Sequence, residues 1–217
     1  MHTGIAIAGT VAVVIGLLGT ILCRKAKSKV EIPLKMLAST GFLTIALAGG
    51  ALSAAYGWIV LGGLALCWFG DLALALPGQA IFLAGLVSFL LGHLAFWGAF
   101  LSRGVELTWC AGALVVLVVV GVFILRWMYP HLPKEMKAPV LAYIVVITIM
   151  VTLAVGTQAK GTDLLILIGG VAFYISDVFV ARDRFVTPGF SNTLYGLPLY
   201  YLGVTLLAFS VAANVAR

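Results

Sequence analysis

The chain has 217 residues, of which 63% are hydrophobic and only 9% are charged, whereas a soluble domain is about 45–50% apolar and about 25% charged. This composition excludes a soluble globular protein and predicts an integral membrane protein. The formal net charge of +6 does not indicate nucleic-acid binding, because basic residues gather in the loops between membrane spans. The length leaves room for about eight spans of about 20 residues each, so we expect a single transmembrane domain over residues 1–217.

The apolar runs are continuous and rich in Leu, Ala, Val and Gly, which is typical of spanning helices rather than of alternating transmembrane strands. The first run has no basic residue ahead of it and no small-residue cleavage site after it, so we expect a span rather than a removable signal peptide. The predicted fold class is all-α, a polytopic membrane helix bundle. Its helices are expected at residues 4–23, 33–49, 58–76, 80–101, 107–125, 139–155, 164–181 and 192–213. The longest expected loop is 127–137.

The positions of the basic residues predict how the bundle is oriented in the membrane. The first helix ends in a cluster containing Arg24, Lys25, Lys27 and Lys29, which the positive-inside rule places in the cytoplasm. With eight spans, ten Lys and Arg residues then fall on the cytoplasmic side. Three fall on the other side, namely Arg103, Lys160 and Arg217. We therefore expect both termini on the non-cytoplasmic side of a multi-pass protein, in a bacterial inner membrane.

Two acids interrupt the apolar runs. Asp71 lies near the end of the third predicted helix and Asp177 near the end of the seventh, and both helices run from outside to inside. Each acid is therefore expected roughly 8 Å from the cytoplasmic end, at a shared depth. A carboxylate within a membrane span costs several kcal/mol unless it is neutralised, is paired or faces a polar cavity. The pair therefore indicates a functional site.

Other polar residues are expected near this depth on neighbouring helices. If the polar faces converge, they form a pocket that is reached from the cytoplasmic leaflet. The two acids could also have purely structural roles. Asp71 could make a structural hydrogen bond to a serine, a tyrosine or the backbone. Asp177 could pair with Arg182 or Arg184. The remaining candidates for substrate binding or proton relay are His93, Tyr143, Tyr200, Lys35, Ser88 and Asn192.

Two of these candidates carry clear alternatives. Lys35 falls in the first turn of the second predicted helix, where the simpler interpretation is an interfacial lysine whose ammonium group snorkels to water. The functional interpretation is a cation for a lipid phosphate, or a partner for an acid. His93 stands alone in an apolar helix, where it could be a hydrogen-bonding group between helices instead of a proton relay.

Several short motifs resemble one family of membrane proteins. The similarity runs from about Pro33 onward and lies in the order and spacing of Gly-Asp, His, Pro-Val-x-x-Tyr and Ser-Asp elements. On these motifs the chain resembles the YhhN-like lysoplasmalogenase family. The matching stretches are Phe69-Gly70-Asp71-Leu72, Phe82-Leu83-Ala84-Gly85, Phe89 with His93, Pro139-Val140 with Tyr143, Ala172-Phe173-Tyr174-Ile175-Ser176-Asp177, Arg184-Phe185 and Tyr200.

The resemblance implies a membrane hydrolase that cleaves the vinyl ether bond of lysoplasmenylethanolamine or lysoplasmenylcholine, giving a fatty aldehyde and a glycerophospho-base. This reaction begins with protonation of a carbon and passes through an oxocarbenium ion. It needs one acid that keeps its proton near neutral pH and one carboxylate that stabilises the cation and activates water, as in glycosidases. Asp71 and Asp177 are jointly assigned to these roles, without a metal or other cofactor.

Two other functions remain open at this point. Paired membrane acids also serve as proton relays in proton-coupled transporters, although the chain shows no convincing inverted repeat and no matching broken helices. A non-catalytic protein that binds lysophospholipid in the bilayer would also carry a polar pocket. Catalysis by the purified protein in detergent, without a gradient, separates these functions from a hydrolase.

Overall fold

Eight long helices make up the described part of the chain. The computed structural model describes residues 2–26, 28, 30–159 and 164–215, and within these ranges each of the eight is long and apolar enough to cross a membrane. This confirms the predicted all-α bundle. The helices are α1 Thr3–Lys25, α2 Glu31–Ala48, α3 Ala55–Ala75, α4 Gln79–Ser102, α5 Leu107–Met128, α6 Lys134–Gln158, α7 Leu164–Ala181 and α8 Phe190–Val215.

The connection between α5 and α6 is shorter than the sequence suggests. The expected loop over 127–137 is wrong, because α5 runs on to Met128, a single 3-10 turn covers Tyr129–His131, and α6 already begins at Lys134. Pro133 is the residue that caps α6, with φ −55° and ψ 149°. Pro139 therefore lies in the second turn of α6 and does not begin the helix.

The helices form a closed ring with two outlying members. Neighbouring contacts run α2–α3–α4–α6–α7–α8 and back from α8 to α2, with α3 also touching α8. Outside this ring, α1 packs against α2 and α8, whereas α5 packs mainly against α6. Only Gly121 and Met128 of α5 are buried. Because α3 stands between α2 and α4, and α7 between α6 and α8, the two acid-bearing helices occupy comparable places in the ring.

The ends of the bundle differ in charge. The N-terminus of α1 lies beside the C-terminus of α2, where the His2 amide donates to the Ala48 carbonyl at 3.0 Å, and Gly49 packs against Ala212 of α8. Both ends of the described chain therefore lie at one end of the bundle. The opposite end, here called the charged end, holds Arg24, Lys25, Lys35, Arg126, Lys134, Lys137, Arg182 and Arg184. Lys27, Lys29, Lys160 and Arg217 lie outside the described residues, and the membrane side of each end stays a prediction.

A glycine pair brings α7 and α8 into close contact. A Cβ atom built on Gly203 would lie 2.9 Å from both the Gly169 carbonyl oxygen and the Phe173 nitrogen. These are backbone atoms that cannot move aside without separating the helices. Small residues of this kind allow membrane helices to pack by direct backbone contact. The pair therefore holds α7, which carries Asp177, against α8.

The glycine contact gives a stability prediction. Gly203→Ala is expected to lower the free energy of unfolding by about 1–3 kcal/mol, the usual cost of overpacking, measured by thermal or denaturant unfolding in detergent. Gly62→Ala is the matched control, since a Cβ at Gly62 of α3 meets nothing within 4 Å and alanine favours a helix. Equal stability of the two variants would contradict the close α7–α8 contact.

Candidate active site

A cavity of about 280 Å³ opens within the charged end of the bundle, and all eight helices contribute to its wall. Both aspartates line it. Six of the eight predicted site residues reach the wall, and the two exceptions are His93 and Ser88. The shared depth predicted for the two acids therefore does bring them to one cavity. The residues in question are Asp71, Asp177, Lys35, Tyr143, Tyr200 and Asn192.

Asp71 is held by three side chains from two other helices. Lys35 Nζ lies 3.1 Å from Asp71 Oδ1 and also donates to the Asp71 backbone carbonyl at 3.0 Å. Ser39 Oγ and the Tyr200 hydroxyl each lie 2.6 Å from Oδ2 as hydrogen-bond donors. The Asp71 side chain is only 2% exposed. A lysine and two hydroxyl donors around a buried carboxyl group stabilise its ionised form.

The Asp71 contacts decide between the two interpretations of Lys35. Lys35 is 6% exposed, so its ammonium group does not snorkel to water, and that interpretation is wrong. The lysine instead points from the first turns of α2 toward α3, where it pairs with the acid. Its charge is thus committed to Asp71 and is not available as a separate cation for a lipid phosphate.

Two residues that contact Lys35 or Asp71, namely Ser39 and Tyr201, are not among the site residues predicted from the sequence. Ser39 follows Lys35 by four residues, so both side chains lie on one face of α2, and this spacing was a usable signal. The Tyr201 hydroxyl donates to the Lys35 backbone carbonyl at 3.0 Å and ties α8 to the same turn of α2. Tyr201 is only 1% exposed, and nothing in the sequence distinguishes it from an ordinary packing residue.

Asp177 has different neighbours. The Tyr143 hydroxyl donates to Asp177 Oδ2 at 3.0 Å, and His93 Nε2 lies 3.5 Å from the same oxygen. The side chain is 16% exposed, and both contacts are made to Oδ2. Among the described residues no lysine or arginine is within ion-pair distance of this carboxyl group.

The hydrogen bond of Nδ1 determines the tautomer of His93. Nδ1 lies 2.7 Å from the Phe89 carbonyl oxygen, and because a carbonyl only accepts, Nδ1 must carry a hydrogen. Nε2 of the neutral ring therefore faces Asp177 with a lone pair. A lone pair and a carboxylate oxygen repel each other, so a proton belongs between the two groups, on Asp177 or on the ring. His93 thus lies behind Asp177 as a fully buried neighbour, outside the cavity wall.

The arginines near Asp177 do not neutralise it. Arg182 donates to the Asn192 side-chain oxygen, and the Arg184 guanidinium stacks 4.2 Å above the Phe82 ring. The interpretation that Asp177 pairs with Arg182 or Arg184 is therefore wrong. The chain continues past α7 as a single π-helical turn, Arg182–Val186, which carries both arginines away from the acid.

The remaining two candidates have structural contacts. Asn192 donates to Asp183 Oδ1 at 2.9 Å and to the Thr187 carbonyl at 2.8 Å, so it anchors the α7–α8 connection while lining the cavity. Ser88 donates to the Leu66 carbonyl of α3 at 2.7 Å. The expectation that Ser88 reaches the pocket is wrong, because its position on α4 turns it toward α3. Within the described ranges, no three His, Cys, Asp or Glu side chains are grouped to hold a metal ion.

Fold and site together define the class of this protein: an eight-span helical membrane protein in which the aspartates of two spanning helices, Asp71 and Asp177, line one cavity beside Asp183 of the turn after α7. The chain belongs to the YhhN family, whose model matches residues 30–211, and this confirms the resemblance seen in its motifs. It is also 33% identical over 137 residues to proteins named "Lysoplasmalogenase" from Mycobacterium bovis and Mycobacterium tuberculosis. Those alignments cover 61% of this chain and 51% of each relative, so the chain spans about half the length of these curated relatives. No solved structure matches the chain significantly.

Proposed function

We propose that the protein is a lysoplasmalogenase, a hydrolase that cleaves the vinyl ether bond of lysoplasmalogens to a fatty aldehyde and a glycerophospho-base. Family membership and the two relatives named above support the reaction class. The observation that carries the proposal is the contrast between two aspartates that line one cavity. One is ion-paired to Lys35, and the other faces a histidine lone pair and a tyrosine hydroxyl. Unequal environments are how a site obtains one acid and one carboxylate from two carboxyl groups.

Asp177 acts as the proton donor. Its partners suit a protonated carboxyl group, and it is the more exposed of the two acids. Its proton passes to the alkenyl carbon next to the ether carbon, and the double bond supplies the electron pair of the new C–H bond. A positive charge then develops on the ether carbon and its oxygen. His93 and Tyr143 hold the carboxyl group in place through Oδ2.

Asp71 stays ionised and stabilises that positive charge through space. A fixed charge in a low-dielectric cavity acts more strongly than one in water. Water adds to the ether carbon and releases a proton to the Asp177 carboxylate, which restores the acid. The hemiacetal then breaks its bond to the glycerol oxygen, and its hydroxyl proton moves to that oxygen. The products are the aldehyde and the glycerophospho-base.

The origin of the new C–H bond tests this chemistry. Purified protein in detergent is incubated with a lysoplasmalogen in D₂O, and the aldehyde is trapped at once by borohydride reduction. We expect one deuterium on the carbon that was protonated. The analogue with a saturated alkyl ether should give no aldehyde, because it has no double bond to protonate. Authentic aldehyde incubated with the protein in D₂O controls for exchange.

The same experiment separates the rival functions. A proton-coupled transporter or a non-catalytic lipid-binding protein would release no aldehyde in the absence of a gradient. Failure of well-folded protein to release aldehyde from ethanolamine and choline lysoplasmalogens would overturn the proposal. Aldehyde without deuterium at that carbon would exclude carbon protonation by a solvent-exchangeable acid.

A further inference from the structure

The cavity wall is divided into a polar and an apolar side. Helices α1, α2 and α8 supply Thr20, Arg24, Lys35, Asn192 and Thr193. Helices α4, α5 and α6 supply Tyr143 and otherwise only apolar side chains, and the turn after α7 adds Asp183 and Arg184; the apolar residues are Phe82, Leu86, Phe89, Ile124, Met128, Val140, Ile144 and Ile147. The order of helices in the ring places α3 and α7, with their aspartates, between these two sides. The cavity therefore has the polarity of a single-chain lipid, with the acids where its head and chain would join.

Arg24 is the cation of the polar side that keeps free donors. Its Nε pairs with Glu31 Oε1 at 2.6 Å, and its Nη1 donates to Thr193 Oγ1 at 3.0 Å. A guanidinium group carries five N–H donors, so these two contacts orient the fork and leave Nη2 unused among the described contacts. The guanidinium is thus held in a fixed direction while part of it remains able to bind an anion.

Thr193 adds a second donor beside the guanidinium. Because its oxygen accepts from Arg24, its own hydroxyl proton can be donated to another group, and no acceptor for it is recorded among the described residues. Thr193 is 7% exposed and lines the cavity. A buried hydroxyl beside an oriented guanidinium matches the oxygens of a phosphate group, which arginine binds through a planar fork.

We propose that Arg24 and Thr193 bind the phosphodiester of the substrate's head group, with the hydrocarbon chain lying between α4, α5 and α6. The identity of the lipid rests on the proposed function, whereas the phosphate contact does not depend on catalysis. Lys35 is not the phosphate cation, since its charge is paired with Asp71. Arg184 also lines the cavity, but its guanidinium stacks on Phe82 among the apolar residues of the wall. In this orientation the glycerol spans from Arg24 to the aspartates, and the ether bond lies between Asp71 and Asp177.

Binding of two non-hydrolysable lipids tests the proposal. The first is the saturated alkyl-ether analogue of lysoplasmenylcholine, and the second is the corresponding alkylglycerol, which lacks the phosphate. Purified protein in nanodiscs is titrated with each. Arg24→Gln is expected to weaken binding of the phosphate-bearing lipid about 10-fold to 100-fold, the usual effect of losing hydrogen bonds to a charged group. Binding of the alkylglycerol should not change.

Two further variants complete the test. Thr193→Val should weaken binding of the phosphate-bearing lipid alone, by about 3-fold to 10-fold, and it keeps the charge of the site intact. Arg126→Gln removes the same charge at the same end of the bundle from an exposed residue outside the cavity wall, so affinity for both lipids should stay the same.

The outcomes separate this inference from the proposed function. Unchanged affinity in both Arg24→Gln and Thr193→Val overturns the phosphate site, and so does an equal loss in Arg126→Gln, which would mark a diffuse charge effect. If Arg24→Gln misfolds and no longer binds the alkylglycerol either, the affinities of Thr193→Val for the two lipids test the phosphate site instead. If the protein binds the phosphate-bearing lipid selectively but releases no aldehyde from a lysoplasmalogen, the proposed phosphate site is supported and the proposed hydrolase function is contradicted.

Discussion

Asp177→Asn is expected to lower aldehyde release from a lysoplasmalogen at least about 100-fold while the protein stays folded. The amide has nearly the same shape as the carboxyl group, but it can neither give a proton to carbon nor take one from water. General acid–base groups typically contribute about 10²–10⁴-fold to a rate. The measurement is turnover of purified protein at saturating substrate, beside a melting curve of the variant.

Glu106→Gln is the matched control for this substitution. It makes the same change from acid to amide at an exposed residue at the other end of the bundle, where the carboxylate accepts a local hydrogen bond from Thr108. Its turnover should equal that of the unmodified protein. Near-normal turnover of folded Asp177→Asn would remove Asp177 from the proton-transfer step and would leave Asp71 and Asp183 as the carboxyl groups that line the cavity.

Lys35→Met should be the most destabilising substitution near the cavity. It leaves the Asp71 carboxylate buried without its counter-charge, and breaking a buried ion pair by removing one partner typically costs about 3–5 kcal/mol. Ser39 and Tyr200 still donate to the carboxylate, but they carry no positive charge. The free energy of unfolding, or the melting temperature in detergent, measures the loss.

The double variant Lys35→Met/Asp71→Asn identifies the cause of that loss. With both charges removed, no uncompensated ion remains, so we expect most of the stability to return. The double variant should release no aldehyde, because the carboxylate that stabilises the oxocarbenium ion is gone. A double variant as unstable as Lys35→Met alone would show that the lysine acts through packing and not through charge.

The depth of the two acids could be predicted from sequence, but their surroundings could not. Hydropathy defines the spans, and the alternating direction of the spans then sets the height of each residue along the membrane normal. Rotation of each helix about its own axis is set by side-chain packing, to which the apolar runs give no clue. Ser88 was therefore expected in the pocket, yet it faces α3, whereas Tyr200 does reach Asp71.

Lys35 shows a second limit of the same reasoning. A lysine in the first turn of a membrane helix usually extends its ammonium group to water, because its own helix offers no partner for the charge. Its partner here is 36 residues away on α3, and only packing of α2 against α3 brings the two together. The repeat at Ser39, one turn further along the same face, was the signal that this face of α2 meets polar groups.

The prediction of a long loop between α5 and α6 was wrong for a local reason. Two prolines and several charges between 127 and 137 suggested a long loop, yet a proline can cap a helix as well as break one. Pro133 takes that position, and the charged residues that follow occupy the first turn of α6. The same basic residues still lie at the charged end, so the predicted charge asymmetry along the described chain was unaffected by the misplaced boundary.

The outlying position of α5 has an evolutionary consequence. Most of its side chains face outward and meet no other helix, so selection on those positions reduces to a requirement for apolar character. Val, Leu, Ile and Phe can then replace one another there by neutral drift. Constraint is concentrated at the few positions that contact the rest of the bundle, notably the buried Gly121 and Met128 and the cavity-lining Ile124. Among distant relatives, α5 should therefore diverge fastest in sequence while it remains a membrane helix.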